Sequence, residues 1–183
     1  MKQVLLYLNQ ENTMVDPLFT FLEKESIAYT VIEDSHLNHK IIDLFTSQNK
    51  KGNLSKKFPF NFILFSDFTK EDIMSFLKTA NLQGIQFSHK AMLTDNNRNW
   101  TLDALLKEIE EEHEFFETWE QLHRLLKEAN DLDAKLYTED SYEAYKQSFL
   151  KAYMFTKNPQ KNLIDEIIQD LEKTKNALRT KIL

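Results

Sequence analysis

The chain has 183 residues, a formal charge of −6 at pH 7, and 42 % hydrophobic and 12 % aromatic content, which excludes a disordered chain and suffices for one large or two small domains. The lack of cysteine excludes disulfides, thiolate catalysis, iron–sulfur clusters and thiolate zinc sites. Only Gly52 and Gly84 occur, so no phosphate-cradling loop or dinucleotide fingerprint is present, and the acidic balance argues against general nucleic-acid affinity.

The apolar run 4–8 ends at Asn9, far short of a signal-peptide core or of the roughly 20 residues that cross a bilayer. The expectation is a cytosolic protein with no membrane partner. Residues 3–8 and 60–66 are short and almost wholly apolar, the pattern of central strands buried on both faces. Each precedes a helical spacing of apolar residues: Val15, Leu18, Phe19 and Leu22, then Ile73, Phe76, Leu77 and Ala80. Thr69 and Asp72 have the spacing of a capping box, and Pro17 suits the first turn of the earlier helix. Further strands are expected at about 27–32 and 85–93, and further helices at about 37–48 and from Thr101 onward.

The front half thus reads as βαβα twice, copies at about 1–50 and 59–117, and it echoes itself at an offset of 58, with Leu5-Leu6-Tyr7 returning as Ile63-Leu64-Phe65. A mostly parallel sheet covered by helices is the first expectation, and a ferredoxin-like arrangement of the same elements is the alternative. The stretch 47–58, with Gly52 and four lysines, reads as a mobile, exposed linker; its basic cluster Lys50, Lys51, Lys56 and Lys57 reads as a solvated loop rather than a nucleic-acid contact.

No glycine or proline falls between Gly84 and Pro159, so one helix of roughly 45 Å is expected over about 101–130, joining the α/β domain to residues 118–183. Two more helices follow: one capped by Thr138 and carrying Tyr142, Tyr145, Phe149, Ala152 and Tyr153, and one opening at Asn158-Pro159 and carrying Ile164, Ile167, Ile168, Leu171 and Leu178. Short connections between them predict an antiparallel three-helix bundle.

The loop 94–100 is the densest cluster of directed polar side chains, lying after a strand and before a helix, where ligands collect in parallel α/β sheets. Lys90 and Arg98 supply charge for a carboxylate or phosphate, Asn97 supplies an amide, and Trp100 a flat wall. The competing reading makes the same residues a turn, with Thr101 as helix cap. Corresponding loops are Asn9-Gln10-Glu11-Asn12 and Ser66-Asp67-Phe68-Thr69, neither with a nucleophile beside a base. His36 and His39 lie three apart, and His113 follows Glu110 in Glu-x-x-His spacing, which occurs once where a di-metal site needs it twice; no metal or cofactor is expected. The aromatic stripe on the Tyr142 helix reads as core before it reads as a recognition face.

Lys90-Ala91-Met92-Leu93-Thr94, Asn97-Arg98-Asn99-Trp100-Thr101-Leu102, Leu105 and Glu111-Glu112-His113-Glu114 resemble a bacterial family known as domain of unknown function 3783, carried by 60–117 with residues 1–50 similar to its usual N-terminal half. That resemblance implies no activity and no catalytic residue. Leu125, Ala129, Leu136-Tyr137-Thr138-Glu139-Asp140-Ser141-Tyr142, Ala152, Asn158, Leu171 and Leu178 resemble the three-helix module called "found in various architectures", over about 119–182. The sequence therefore reads as a non-catalytic ligand- or partner-binding, regulatory protein, with a protein partner or self-association at the C-terminal helices. The alternative is a small enzyme or sensor for an anionic metabolite at the strand ends.

Overall fold

A computed structural model describes residues 1–9, 15–45, 50 and 52–181. Gln10, Glu11 and Asn12 of the first strand-end loop, and Lys51 of the lysine cluster, lie outside these residues. The described chain divides into two compact units, Met1–Glu111 and Glu112–Leu183.

The first unit is α/β, in the order β1 (Gln3–Tyr7), α1 (Val15–Lys24), β2 (Ala28–Ile32), α2 (Ile41–Leu44), β3 (Phe62–Ser66), α3 (Lys70–Leu82), β4 (His89–Met92) and the start of α4 (Leu102–Ala129). The strands form one mixed sheet in the order β2-β1-β3-β4. β1 is parallel to β2 and β3 to β4, while β1 and β3 meet antiparallel at the centre, Leu5 opposite Leu64. The pairs β1–β2 and β3–β4 are direct neighbours, with no strand split between them as in a ferredoxin-like sheet.

The apolar runs of β1 and β3 serve two layers at once. Val4, Leu6, Ile63 and Phe65 pack with Leu18, Phe21, Leu22 and Phe76 of α1 and α3. Leu5, Tyr7, Phe62 and Leu64 pack with Ile41 of α2 and Leu102, Leu105 and Leu106 of α4. Each fully buried leucine or isoleucine contributes about 1.5–3 kcal/mol of apolar burial. The offset of 58 keeps Leu18 with Phe76, Ile27 with Ile85 and Tyr29 with Phe87 in one layer, but in β1 and β3 it sets Leu5 on Ile63, which face opposite layers, whereas Leu5 and Leu64, 59 apart, share one. A one-residue slip in a strand exchanges its faces.

The Thr69–Asp72 capping box forms, Asp72 N–H donating to Thr69 Oγ1 (3.1 Å) and Thr69 N–H to Asp72 Oδ2 (3.0 Å). Gly84, at φ +75°, follows α3. The helix expected over 37–48 reduces, among described residues, to α2, and a separate 3-10 turn at Asp34–His36 precedes that span. The cause is α4: the carbonyls of Leu37 and His39 accept from Asp103 N–H (2.9 Å) and Leu102 N–H (3.0 Å), which satisfies donors at the α4 N-terminus and denies those carbonyls to a local helix.

The second unit is helical, holding the rest of α4, then α5 (Glu139–Phe155) and α6 (Ile164–Asn176) around Leu122, Leu126, Tyr145, Ala152, Ile164, Ile167, Ile168 and Leu171. α6 begins at Ile164 rather than at Asn158-Pro159, because Lys157 and Asn158 still donate to Met154 and Phe155 at the close of α5. α4 is helical throughout Leu102–Ala129, and no helix among the described residues is long and apolar enough to cross a membrane.

Candidate functional site

The carboxyl ends of β1 and β2 are occupied by the chain itself. The stretch expected to be an exposed linker folds into that end in its described part: Ser55 and Phe58 are buried, and Ser55 N–H donates to Leu8 O (2.7 Å). Asp34, just past β2, accepts from the Tyr7 hydroxyl (2.6 Å) and from the N–H groups of Lys56 (2.9 Å) and Lys57 (3.3 Å). Tyr7 in turn accepts from Phe58 N–H (3.1 Å), and Glu33 accepts from Asn53 N–H (2.7 Å). Asn9 donates its side-chain amide to Phe58 O (3.0 Å) and its backbone N–H to Asn61 Oδ1 (2.8 Å).

Burial and the hydrogen bond to Asp34 push the Tyr7 hydroxyl up to about 12. Burial pushes the Asp34 carboxyl up, yet the Tyr7 hydroxyl and the Lys56 and Lys57 N–H groups outweigh it and leave Asp34 below the usual carboxylate range. The Asn53 N–H likewise holds Glu33 low. Of the lysine cluster, Lys57 pairs with Asp103, and the Lys50 backbone bridges Thr30 of β2.

The ends of β3 and β4 differ. There an open cleft of about 530 Å³ is lined by Gln3, Ser66, Asp67, Thr94, Asp95 and Arg98, with Ile42, Phe45 and Leu93 as its apolar side. Of the four residues expected to act together, only Arg98 lines it. Its guanidinium donates to Asp95 (3.3 Å), and Asp67 pairs with the Met1 amino group (2.9 Å), both at exposed positions. The Arg98 guanidinium and the Met1 amino group balance the two carboxylates, so the lining has no surplus of positive charge for an anion.

Asn97 builds the turn. Its carbonyl accepts from Thr94 N–H (2.8 Å), its amide donates to Met92 O (2.9 Å), and its N–H donates to Thr94 Oγ1 (3.3 Å). Trp100 is 40 % exposed and outside the cleft, while its carbonyl accepts from Ile41 N–H (3.0 Å). Thr101 caps α4 through Ala104 N–H (3.2 Å). Lys90 lines a separate groove, about 450 Å³, between β4 and α3.

His36 and His39 meet edge to face, with ring centroids 5.7 Å apart. His36 Nδ1 accepts from Glu33 N–H (3.0 Å), His89 stacks on Phe60 with centroids 4.0 Å apart, and His113 lies 3.3 Å from Glu117. Among the described residues no group of three or more His, Asp or Glu is placed to hold a metal ion. In the helical unit Tyr145 is in the core, and its hydroxyl is the buried side-chain polar atom left without a partner among the described residues.

The Tyr7–Asp34 pair escapes sequence reasoning because Tyr7 lies inside an apolar run and reads as core. The available signal was Asp34, an acid two residues beyond the last apolar residue of a buried strand.

The class defined by this geometry is a mixed α/β domain whose two pairs of strand ends are one filled, one open. Residues 61–116, which carry β3, α3, β4, the 94–100 turn and the opening of α4, match the family described as Domain of unknown function (DUF3783), so this segment carries that domain. No curated protein and no solved structure matches the chain.

Proposed function

We propose that this is a non-catalytic binding protein that takes a small polar ligand at the β3–β4 strand ends and engages a protein partner through its helical unit. The observation that carries this reading is the open 530 Å³ cleft at one pair of strand ends, beside a pair that the chain fills with its own residues. Ligands in open α/β sheets gather beyond strand carboxyl ends. Leu150, Tyr153 and Met154 stand exposed at i, i+3 and i+4 on α5, which supports a partner-facing side on the helices.

In finer terms, β1-α1-β2-α2 and β3-α3-β4-α4 are two copies of one βαβα unit, and α4 to α6 form an antiparallel three-helix bundle in a cytosolic protein. The enzyme-or-sensor reading places an anionic metabolite in the same cleft. Arg98 favours it, whereas Asp67 and Asp95 favour an amine or a neutral polar ligand.

The test is a thermal-shift screen against nucleotides, phosphorylated metabolites, carboxylates and polyamines, since a ligand that prefers the folded state raises the midpoint by mass action. A hit that Arg98→Ala abolishes, with the ligand-free midpoint unchanged, supports the cleft. A flat screen, or a hit indifferent to Arg98→Ala, removes it.

A further inference from the structure

β4 is a sheet edge whose outer side no described residue bridges. Leu93 N–H donates to Phe65 O (2.8 Å), so residues 89, 91 and 93 turn their backbone groups toward β3, and Lys90 and Met92 turn theirs outward. Asn97 takes the outward carbonyl of Met92 (2.9 Å). The Met92 N–H and both backbone groups of Lys90 form no backbone bond with a described residue.

Beside this edge runs the 450 Å³ groove, walled by Phe65 and Met92 on the sheet and by Ile73, Met74 and Leu77 on α3. Met74 is 72 % exposed there. Lys70 and Lys90 stand at its rim, and neither forms an ion pair with a described residue.

The opposite edge shows what such an edge accepts. Lys50 lies parallel against Thr30 of β2, its N–H donating to Tyr29 O (3.0 Å) and its carbonyl accepting from Val31 N–H (2.8 Å).

We propose that the β4 edge and its groove dock an extended segment of a partner protein, added as a strand parallel to β4. Apolar side chains of the segment enter the groove beside Met74 and Leu77, and an acidic side chain reaches Lys70 and Lys90. Main-chain hydrogen bonds supply affinity in this mode, and alternate side chains supply specificity. The two lysines select an acidic segment and disfavour a second copy of this edge, which would bring the same positive charges together. The inference rests on the partner-binding reading but uses a site separate from the Arg98 cleft.

The experiment selects a random phage-displayed dodecapeptide library on the full chain, then measures the best synthetic peptide by fluorescence anisotropy. The expected winners alternate apolar residues and include Asp or Glu. Lys90→Pro removes one outward N–H without touching the β3 ladder, and Met74→Glu sets a like charge in the groove. Each should weaken binding about tenfold, as expected for one lost backbone bond or one repulsive contact. Should Lys90→Pro disturb folding, the exposed Met74→Glu decides alone.

The proposal is overturned by an absence of enrichment, or by peptides that bind both variants as well as the parent chain. Peptides insensitive to both variants but lost in Arg98→Ala overturn the edge site and leave the cleft standing. A dimer in sedimentation that Lys90→Pro dissolves makes the occupant a second copy, and overturns it as well.

Discussion

The two pairs of strand ends in the α/β unit differ in what fills them. At β1–β2, Asp34 and Glu33 bind the backbone N–H groups of a returning segment, and Tyr7 ties that segment to the strand. At β3–β4 the corresponding acids, Asp67 and Asp95, are exposed and meet only the chain's amino terminus and Arg98 across a cleft. Similar residue types thus serve structure where backbone donors return to them and remain open to a ligand where none does.

Asp34→Ala breaks the filled end most severely. It removes the acceptor of one buried hydroxyl and two N–H groups, and should cost about 2–4 kcal/mol in urea unfolding. Gly52→Ala comes next. A Cβ there would stand 3.0 Å from Val31 O and 2.8 Å from Glu33 Oε1, so the Glu33 carboxylate is pushed off the Asn53 N–H or the returning segment shifts, at a cost of about 1–3 kcal/mol.

Tyr7→Phe should cost about 1–2 kcal/mol, and it also has a pH signature. The folded chain holds the Tyr7 hydroxyl at about 12, above its ordinary 10.0, so the neutral form is favoured on folding. That contribution is fully present below pH 10 and is lost as pH rises toward about 12. Stability measured across that window should fall less steeply in Tyr7→Phe than in the parent. Parallel curves would remove the buried hydroxyl from the account.

Much of the fold is legible because its signals are local. Apolar runs locate β1 and β3, helical spacing locates α1 and α3, and Thr69 with Asp72 marks one helix start to the residue. The register is not legible, and the reason is physical. Strands buried on both faces show no alternation, so Leu5-Leu6 superposes on Ile63-Leu64 as well as on Leu64-Phe65, and only the two packed layers distinguish an offset of 58 from 59. Residues 52–58 read as a linker because lysines and glycine dominate them. Their order comes from distant acceptors, Asp34 and Leu8 O, that composition cannot reveal.

The candidate site shows the same limit. The polarity of 94–100 points correctly to a turn beside a recess, but polarity does not distinguish Asn97, whose amide is spent on Thr94 and Met92, from Arg98, whose guanidinium reaches the cleft.

The smallest expected effect is therefore the most discriminating one. Arg98→Ala removes an ion pair with an Asp95 side chain that is 96 % exposed, and such surface pairs contribute about 0–1 kcal/mol. The unfolding midpoint should barely move. Asn97→Ala strips the turn of two side-chain hydrogen bonds and releases the Met92 carbonyl, and should cost about 1–2 kcal/mol. If the two substitutions destabilise equally, Arg98 is part of the turn's framework and the open end has lost its claim to a ligand. If Arg98→Ala is silent in stability yet alters binding at the cleft, then the filled and open ends are divided as the geometry divides them, carboxylates closing one around the chain's own backbone and a guanidinium facing the recess of the other.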